Sequence, residues 1–433
     1  MIKRILKKSN LRISIIGLGY VGLPLAIEFS KKFTVIGFDI DPLRIKQLNK
    51  GFDRTKEIKL NLKKNRIKFT SDSKYLKNID IFIVTVPTPV YTNNKPNLTF
   101  LENATTLIGK YIKDQSIIIY ESTVFPGTTE EICVPILEKI SGLKYINTNK
   151  RKKGFYCGYS PERINPGDSK NNIKNICKIT SGSTTEIANF IDNLYKLIIT
   201  AGTYKAETIK IAEAAKIIEN TQRDINIALV NELSIIFKKM KINTYSVLKA
   251  AKTKWNFLPF YPGLVGGHCI GVDPYYLTYK SRKLGYNPMV VLSGRKINDK
   301  MSKYVVKYLI NQMNQNNISI KNSKILIMGL AFKENCADIR NTKVIDIYNG
   351  LKKYKTKIEI YDPIVDKQQA LKEYNIKIIK KLSTNYYDSV IIAVAHNSFK
   401  KMGIGKIKRV CKKNHIIFDV KNIFPENNTN LKL

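Results

Sequence analysis

Residues 11–22 read LRISIIGLGYVG, a short β-branched run that leads into three glycines. The run is typical of a buried strand, and the next residues, VGLPLAIEFSKK from Val21, repeat apolar side chains at helical spacing. The glycines thus form G-x-G-x-x-G at a strand-to-helix turn, where backbone N–H groups can meet a pyrophosphate. A second predicted strand, TVIGFDID from Thr34, ends at Asp39. This stretch predicts a dinucleotide-binding Rossmann unit.

Each glycine of the turn has its own structural reason. Gly17 allows the tight turn, Gly19 lets a pyrophosphate approach the backbone, and Gly22 permits close packing of helix on strand. A glycine turn that binds no ligand is the alternative. The preceding strand, the spacing of the glycines and the acid at the end of the second strand together favour a cofactor site. The turn residues predicted to bind the cofactor are Gly17, Gly19, Tyr20, Val21 and Gly22.

The acid at the end of the second strand indicates which dinucleotide binds. Asp39 would accept hydrogen bonds from the adenosine ribose, and its carboxylate would repel a 2′-phosphate. We therefore expect NAD rather than NADP. Arg44, five residues further on, weakens that preference slightly and is included among the predicted cofactor contacts.

Three more strands follow in the first half of the chain. They are NIDIFIVTVPTP from Asn78, SIIIYEST from Ser116 and GFYCGYSPE from Gly154. Helical patterns separate them, which predicts a parallel sheet with right-handed crossovers. In such sheets ligands bind at the carboxyl ends of the strands.

A change in the spacing of apolar residues divides the chain. Residues 203–248 repeat apolar side chains at i, i+3 and i+4, which predicts one long helix or a pair. After Asn322 the opening pattern returns, with KILIMGLAF, KIEIYDP and YDSVIIAVAH in the same order. We predict an α/β protein with two doubly wound Rossmann-like domains, 1–202 and 311–433, joined by a helical domain, 203–310.

The composition is that of a folded protein with an excess of basic residues. Of 433 residues, 43% are hydrophobic and 25% are charged, and the formal net charge is +40. Such a charge raises nucleic acid or an anionic membrane as a partner. The basic residues are spread through every segment, however, whereas a binding footprint is a cluster or stripe. We therefore expect no nucleic-acid partner.

Cysteine and histidine positions bear on compartment and metal binding. The six cysteines lack a C-x-x-C spacing, and the basic N-terminus lacks the apolar region of a secretory signal. No run approaches the ~20 apolar residues of a spanning helix. These features favour a cytoplasmic protein with reduced thiols and no membrane insertion. The three histidines are far apart, so no metal site is expected.

One cysteine has unusual neighbours. Cys269 lies in GGHCIGVDP, beside His268 and four residues before Asp273, whereas the other cysteines lie in more ordinary surroundings. Its thiolate would be a nucleophile to which flanking glycines give a substrate access. Burial as a small apolar side chain is the alternative.

Other polar residues are candidates because of their place in the pattern. Lys216 and Asn220 are i, i+4 on the long helix and share a face, with Glu213 one turn earlier. They are surface residues or they enter a cleft, and the apolar neighbours favour the cleft. Ser160-Pro161-Glu162-Arg163 ends a strand at the sheet edge where catalytic residues collect. Lys333 and Arg340 follow the first strand of the second half and suit a diphosphate, with a solvated loop as the alternative.

Together with ESTVFPGTTEE, AEAAKIIENTQRDINIALVNEL and GLAFKENCADIRNT, these motifs occur in order along nearly the whole chain. The chain closely resembles the UDP-glucose/GDP-mannose dehydrogenase family, and within it the branch that acts on UDP-N-acetylhexosamines. The resemblance implies an NAD-binding domain, a central helical dimerisation domain and a UDP-sugar-binding domain. It also implies a four-electron oxidation of the sugar 6-hydroxyl to a carboxylate. The resulting uronic acid would supply the synthesis of surface polysaccharide.

The resemblance assigns roles to individual residues. Cys269 attacks the aldehyde, which gives a thiohemiacetal and then a thioester that water hydrolyses. Lys216 and Asn220 match the residues that hold an oxyanion and a water, Asp273 the acid near that water, and Glu162 the carboxylate of the hydrolytic step. Cofactor contacts are expected at Thr85, Pro87, Thr88, Thr123 (beside the nicotinamide) and Arg340. Substrate contacts are expected at Glu162, Arg163, Lys216, Asn220, Phe260, Tyr261, Gly263, Gly266 and Lys333.

Some positions depart from the UDP-glucose branch. Arg163 stands where an aromatic usually follows the glutamate, and His268-Cys269-Ile270 differs as well. These variants resemble the acetamido-sugar branch but leave UDP-N-acetylglucosamine, UDP-N-acetylgalactosamine, UDP-N-acetylmannosamine and UDP-glucose open. An arginine that contacts substrate in some relatives has no clear equal near Lys421. We expect a homodimer, or a higher even oligomer, through residues 214–233, whose apolar circumference exceeds what one small domain covers.

Overall fold

A computed structural model describes residues 10–55, 66–148, 153–164, 173–267 and 270–433. The described residues group into two units. The first contains those up to Glu219 together with Tyr275–Gly285, and the second contains Asn220–Pro274 and Tyr286–Leu433. His268 and Cys269 lie outside the described residues, so their predicted roles stay predictions.

The first unit is built on an eight-stranded sheet of order β3-β2-β1-β4-β5-β6-β7-β8. The order reverses between β1 and β4, which is the switch point at which a doubly wound sheet binds its ligand. Its strands are β1 (Arg12–Ile16), β2 (Thr34–Phe38), β3 (Ile67–Thr70), β4 (Ile81–Val84), β5 (Ile117–Tyr120), β6 (Tyr156–Tyr159), β7 (Lys178–Gly182) and β8 (Thr203–Lys205).

The helices of this unit connect the strands and cover the sheet. They are α1 (Gly22–Ser30), α2 (Pro42–Asn49), α3 (Thr99–Gly109), α4 (Val134–Ser141) and α5 (Thr185–Lys196). The α2 helix shows how local sequence sets a boundary, because Asp41 caps its N-terminus through the Leu43 N–H and Pro42 occupies its first turn. Buried side chains such as Ile13, Ile83 and Ile119 form the core on the sheet.

Two details correct the predicted sheet. The β6 and β7 strands pair antiparallel, so the sheet is mixed rather than wholly parallel. The first residues of the predicted helical stretch form strand β8 instead, which pairs with β7 along Lys178–Thr180. This segment is too short for its apolar residues to distinguish the period of a strand from that of a helix.

The long helix of the centre is α6 (Ile209–Lys239), 31 residues. It is followed by α7 (Thr244–Ala251), α8 (Asp273–Lys283) and α9 (Met289–Gln315). The prediction of one long helix or a pair therefore corresponds to α6 followed by the short α7.

The second unit carries a five-stranded parallel sheet of order β10-β9-β11-β12-β13. Its elements are β9 (Lys324–Met328), α10 (Val344–Lys352), β10 (Lys357–Tyr361), α11 (Lys367–Tyr374), β11 (Tyr387–Ile392), α12 (Asn397–Val410), β12 (Cys411–Asp419) and β13 (Leu431–Lys432). Buried residues of α9 pack on this sheet, among them Val305 and Leu309. The predicted class, two Rossmann-like sheets with a central helical domain, is confirmed.

Candidate active site

The turn after β1 has the geometry that a bound pyrophosphate needs. Gly17 has φ +93°, and its N–H donates to the Phe38 carbonyl at 2.8 Å. A Cβ on Gly22 would lie 1.9 Å from the Gly17 oxygen, so this position admits no side chain. A Cβ on Gly19 would meet no atom within 4 Å. The turn is therefore closed on the helix side and open at Gly19, where a diphosphate can approach the backbone.

The acid after β2 is joined to this turn. The Asp39 carboxylate accepts from the Leu18 N–H at 2.8 Å and from the Asp41 N–H at 3.0 Å. Arg44 is buried at 1% exposure, donates to the Leu18 carbonyl at 2.9 Å, and pairs with Asp53. The structure thus places Arg44 under the turn, and its contact with the cofactor stays a prediction.

Loops at the carboxyl ends of β4 and β5 bond to the turn and to each other. The Thr85 hydroxyl donates to the Gly17 carbonyl at 2.7 Å, and the Thr88 hydroxyl donates to the Thr123 carbonyl at 2.7 Å. Pro87 is exposed between them. Tyr276, on α8, donates to the Thr88 carbonyl at 2.9 Å. These contacts gather Thr85, Thr88 and Thr123 beside the glycine turn at one sheet edge.

A buried carboxylate joins the Thr123 loop to helix α6. Glu213 accepts from the Gly127 N–H at 2.5 Å, the Thr129 N–H at 2.9 Å and the Thr129 hydroxyl at 2.7 Å. Burial raises the pKa of Glu213 to about 7, although the three hydrogen bonds oppose that shift. In the sequence, Glu213 stands out only as a neighbour of Lys216. Its apolar surroundings were the signal that it is buried.

A second buried charge group lies beneath Glu162. Lys178 pairs with Glu121 at 2.6 Å and lies 3.7 Å from Glu162, and Tyr195 donates to Glu121. Burial raises the pKa of Glu121, against the pull of Lys178 and together with the repulsion from Glu162. Glu162 also accepts from the Arg163 N–H at 2.6 Å. No sequence motif distinguishes Lys178 from the many other lysines of the chain.

Arg163 bonds to α6. Its guanidinium lies 2.9 Å from Glu219 and donates to the Cys177 carbonyl at 2.8 Å. Lys216, three residues before Glu219, is only 7% exposed. In the described part of the chain its ammonium group has no ion pair or hydrogen bond. Because a cation with so little contact with water favours a neighbour of negative charge, this position suits a ligand oxygen that carries negative charge.

The structure brings Asn220 and Asp273 together, although they belong to separate motifs. The Asn220 amide donates to the Asp273 carboxylate at 2.5 Å, and both side chains are at most 5% exposed. An amide that is aligned by a buried acid is a preorganised polar group, of the kind that orients a water or an oxyanion.

The loop before Cys269 packs against the loop after β9. A Cβ on Gly266 would lie 2.7 Å from the Asn341 carbonyl oxygen, and one on Gly267 would lie 2.6 Å from the Phe332 ring. Packing against the second-half loop therefore accounts for these glycines. Phe260 is half-buried, Tyr261 stacks on Tyr245, and Lys421 reaches within 3.1 Å of the Cβ position of Gly263.

The second-half loop carries Lys333 and Arg340. Lys333 lies over the Phe332 ring at 5.7 Å, and the Arg340 guanidinium pairs with Asp338 at 2.6 Å. Behind the loop, Asp362 accepts from the Leu330 N–H at 2.7 Å and lies 3.1 Å from the His396 ring. Burial would raise the pKa of Asp362, but the bonds from His396 and the backbone outweigh it and lower that pKa.

Comparison with known proteins identifies the class of this site. The NAD binding domain of the UDP-glucose/GDP-mannose dehydrogenase family matches residues 11–199, its central domain matches 210–300, and its UDP binding domain matches 326–426. The fold and site define an NAD-dependent nucleotide-sugar 6-dehydrogenase. NAD is its cofactor and a UDP-sugar is its substrate.

Two curated relatives and one solved structure place the chain more closely. It is 52% identical to UDP-N-acetyl-D-glucosamine 6-dehydrogenase of Pseudomonas aeruginosa, over 98% of this chain and 100% of that protein. It is 51% identical to the Salmonella typhi enzyme of the same name, over 98% and 99%. The UDP-D-ManNAc dehydrogenase structure from Pyrococcus horikoshii matches with TM-score 0.84 at 29% identity, over 96% of each chain. The chain belongs to the UDP-glucose/GDP-mannose dehydrogenase family.

The described residues lack two other kinds of feature. Within the described residues, no helix combines the length and the apolar character that a membrane crossing requires. In the same ranges, no group of three or more His, Cys, Asp or Glu side chains is placed to hold a metal ion.

Proposed function

We propose that this protein oxidises the 6-hydroxyl of a UDP-N-acetylhexosamine, UDP-N-acetylglucosamine or UDP-N-acetylgalactosamine, to the corresponding uronic acid. The relatives at 52% and 51% identity act on UDP-N-acetyl-D-glucosamine by name, whereas the structural neighbour named for UDP-D-ManNAc is 29% identical. The uronic acid would supply surface polysaccharide. UDP-N-acetylmannosamine and UDP-glucose are the alternative substrates.

The observation that carries the proposed chemistry is the buried Asn220–Asp273 hydrogen bond, with Lys216 one turn earlier on α6. Lys216 and Asn220 would stabilise the oxyanion that forms at C6 and hold the water. Asp273 would fix the Asn220 amide in that orientation. These groups are buried, where their charges and dipoles act more strongly than in water.

Cys269 is the proposed nucleophile. Its thiolate adds to the C6 aldehyde carbon, and the carbonyl electron pair moves to the oxygen, which gives a thiohemiacetal. Loss of the C6 hydride from the oxyanion of this adduct re-forms the C=O bond as a thioester. Attack by water then breaks the C–S bond and leaves a carboxylate, and the sulfur leaves with one of the two protons of the water, as the Cys269 thiol. When bound, NAD accepts the hydride in each of the two oxidations. Glu162 would take the proton of the attacking water.

The cofactor and substrate contacts follow the same geometry. The open position at Gly19 and the Asp39 carboxylate fit a pyrophosphate and a ribose, and Thr123 lies on the loop that Glu213 holds. Lys333 would contact the diphosphate of the substrate. Arg163 is joined to Glu219, so we propose that it acts on the sugar pocket through the position of Glu162.

Initial rates of NADH formation against four UDP-sugars test the substrate. We expect the highest kcat/KM with UDP-N-acetylglucosamine or UDP-N-acetylgalactosamine. A higher value with UDP-glucose or UDP-N-acetylmannosamine would contradict the proposal.

Iodoacetamide labelling, with each site identified by mass spectrometry, tests the nucleophile. Labelling of Cys269 should abolish turnover. Cys177→Ser is the matched control, because Cys177 is the one described cysteine that is not buried. That variant should leave turnover and its sensitivity to iodoacetamide unchanged. A Cys177→Ser enzyme that iodoacetamide no longer inactivates would overturn the assignment of Cys269 as the nucleophile.

We also propose that the protein is a homodimer through α6. Large apolar side chains remain exposed along this helix, at Ile211, Ile218, Leu229 and Ile236. Their spacing of seven and eleven residues repeats along one face. Sedimentation velocity at micromolar concentration should show a dimer, and monomers would contradict the proposal.

A further inference from the structure

Helix α6 carries a row of buried polar side chains beyond the two that were predicted. Asp224 follows Asn220 by four residues and Asn231 follows by eleven, so all three share one helix face. Asp224 and Asn231 are both 0% exposed. Buried polar groups of this kind need hydrogen-bond partners, and those partners show what the row does.

Asn231 holds one end of the loop that leads to Cys269. Its amide nitrogen donates to the Gly263 carbonyl at 3.0 Å, and its amide oxygen accepts from the Gly263 N–H at 2.8 Å. The same nitrogen donates to Asn298 at 2.8 Å. Two bonds between one side-chain amide and the N–H and C=O of one residue fix both the position and the orientation of the backbone at Gly263.

Arg295, on α9, reaches the other side of the same loop. Its guanidinium donates to Asp224 at 2.7 Å, to Asp299 at 2.6 Å and to the Ile270 carbonyl at 3.5 Å. Asn298 completes the connection, because its amide donates to the Asp224 carboxylate at 2.7 Å. One continuous network therefore contacts the chain at Gly263 and again at the residue that follows Cys269.

We propose that Asn231, Asn298, Asp224 and Arg295 form a loop clamp that positions Cys269 for attack on the aldehyde. These are positioning residues, since they act through Gly263 and Ile270, which lie before and after Cys269 in the sequence. The inference rests on the proposed role of Cys269 as the nucleophile.

The chemistry of the network supports a positioning role rather than a purely stabilising one. A buried ion pair such as Arg295–Asp224 is seldom more stable than apolar side chains of the same volume, because both charges lose their hydration. Leucines between α6 and α9 would pack these helices equally well. Only directional groups, however, can hold two peptides of one loop at fixed orientations.

The test is Asn231→Ala, with kcat, KM and NAD affinity measured together with the rate of Cys269 alkylation. A displacement of about 1 Å costs up to ~100-fold in rate, so we expect kcat to fall ~10- to 100-fold. The Cys269 alkylation rate should change by several-fold, while NAD affinity stays within ~2-fold. A loss of stability without loss of position would leave the alkylation rate and kcat of the folded fraction unchanged, and that result would overturn the clamp.

Two further variants keep the test decisive. Asn226→Ala removes an amide of the same helix whose hydrogen bond, within the described residues, goes to the Gln222 carbonyl of that helix, so this variant should behave as wild type. Arg295→Lys keeps the charge but cannot reach all three acceptors, so kcat should again fall several-fold in protein that binds NAD normally. Wild-type kcat in Arg295→Lys would contradict the clamp even where Asn231→Ala does not fold.

Cys269→Ser, measured in parallel, separates the two proposals. A Cys269→Ser enzyme that completes both oxidations at the wild-type rate removes the proposed nucleophile. An inactive Cys269→Ser enzyme beside a fully active Asn231→Ala enzyme removes only the clamp.

Discussion

The two Rossmann-like sheets begin with the same turn but differ in what that turn leaves open. After β1, Gly17 has φ +93° and donates to the end of β2 at 2.8 Å, and after β9, Gly329 has φ +95° and donates to the end of β10 at 2.9 Å. An aspartate closes each second strand and accepts a backbone N–H from the turn, Leu18 to Asp39 and Leu330 to Asp362. The two turns thus share the same glycine conformation and the same two backbone hydrogen bonds.

The side chains give the two turns different uses. In the first turn, Gly19 leaves open space and Asp39 is only partly buried. In the second, buried Leu330 and Ala331 fill the turn, and Asp362 is 1% exposed beneath His396. Asp362 therefore has no surface to offer a ribose, and we propose that the nucleotide of this half binds through the loop that carries Lys333. The same fold supports two ligands because the residues around the glycine differ.

The sharpest test of this comparison is Gly22→Ala. Its Cβ would lie 1.9 Å from the Gly17 oxygen and 2.4 Å from the Thr85 hydroxyl, so the turn must open. We expect NAD affinity, measured by fluorescence titration, to fall by ~100-fold or more. Glu334→Ala, at the equivalent distance after Gly329, is the control and should leave NAD affinity unchanged. Normal NAD binding by Gly22→Ala would show that this turn does not hold the cofactor.

Two buried carboxyls, one in each unit, have pKa values that folding shifts in opposite directions. Burial raises the pKa of Glu213 to about 7 from 4.5, so the folded state binds its proton more tightly than the unfolded state. Stability from this group is therefore highest at low pH and is lost as pH rises from about 4.5 to 7, by ~3 kcal/mol. Asp362 has the opposite sign, because its pKa is lowered on folding.

Urea unfolding of wild type and Glu213→Gln between pH 4.5 and 8 measures this difference. The wild-type free energy of unfolding should decline relative to the variant up to pH 7 and then run parallel to it. Glu207→Gln, an exposed carboxyl just before α6, should follow wild type throughout. Parallel wild-type and Glu213→Gln curves across the whole range would contradict the burial argument.

The second turn is tested by His396→Ala. The His396 ring bonds to Asp362 and accepts from the Asn335 N–H at 2.9 Å, in the loop that carries Lys333. Its removal leaves a buried group unpaired, which costs about 1–3 kcal/mol, so UDP affinity measured by calorimetry should fall ~10-fold. NAD affinity should not change. His415→Ala is the matched histidine control, and an equal loss of UDP affinity there would remove the specific role of His396.

The smallest expected effect concerns cofactor choice. Asp39→Asn keeps an acceptor for the Leu18 N–H but removes the charge that opposes a 2′-phosphate. The ratio of kcat/KM for NADP to that for NAD should rise ~10-fold, or ~1.4 kcal/mol. Asp41→Asn, two residues away, should leave the ratio unchanged. An unchanged ratio in Asp39→Asn would show that Asp39 does not face the ribose.

Local patterns predicted the parts of the fold that are local in sequence. The turn at residues 17–22 and the acid at Asp39 were predictable because strand period, glycine spacing and helix period all agree there. Strand β8 and the antiparallel β6–β7 pair were not. A three-residue strand such as Thr203–Lys205 has too short a pattern, and its pairing depends on tertiary contacts.

The residues of the candidate site also fall into those that the sequence could predict and those that it could not. Asn220 and Asp273 belong to strong motifs, but their hydrogen bond joins residues 53 positions apart and became visible only in the structure. Lys178, Asn298 and Arg295 belong to no motif, because their importance comes from the partners that burial gives them. Asn231 and Asp224 could have been found from the sequence, since they continue the spacing of Lys216 and Asn220 along one helix face.

The most direct test of the account is the yield of NADH from limiting UDP-N-acetylhexosamine. With Cys269 intact, each sugar should yield two NADH and one uronic acid, with no free aldehyde, because the thiohemiacetal keeps the intermediate bound. Cys269→Ser should still bind NAD and UDP-sugar, but its turnover should collapse. One NADH per sugar with release of aldehyde by the wild-type enzyme, or two NADH per sugar at the wild-type rate by Cys269→Ser, would contradict the covalent mechanism.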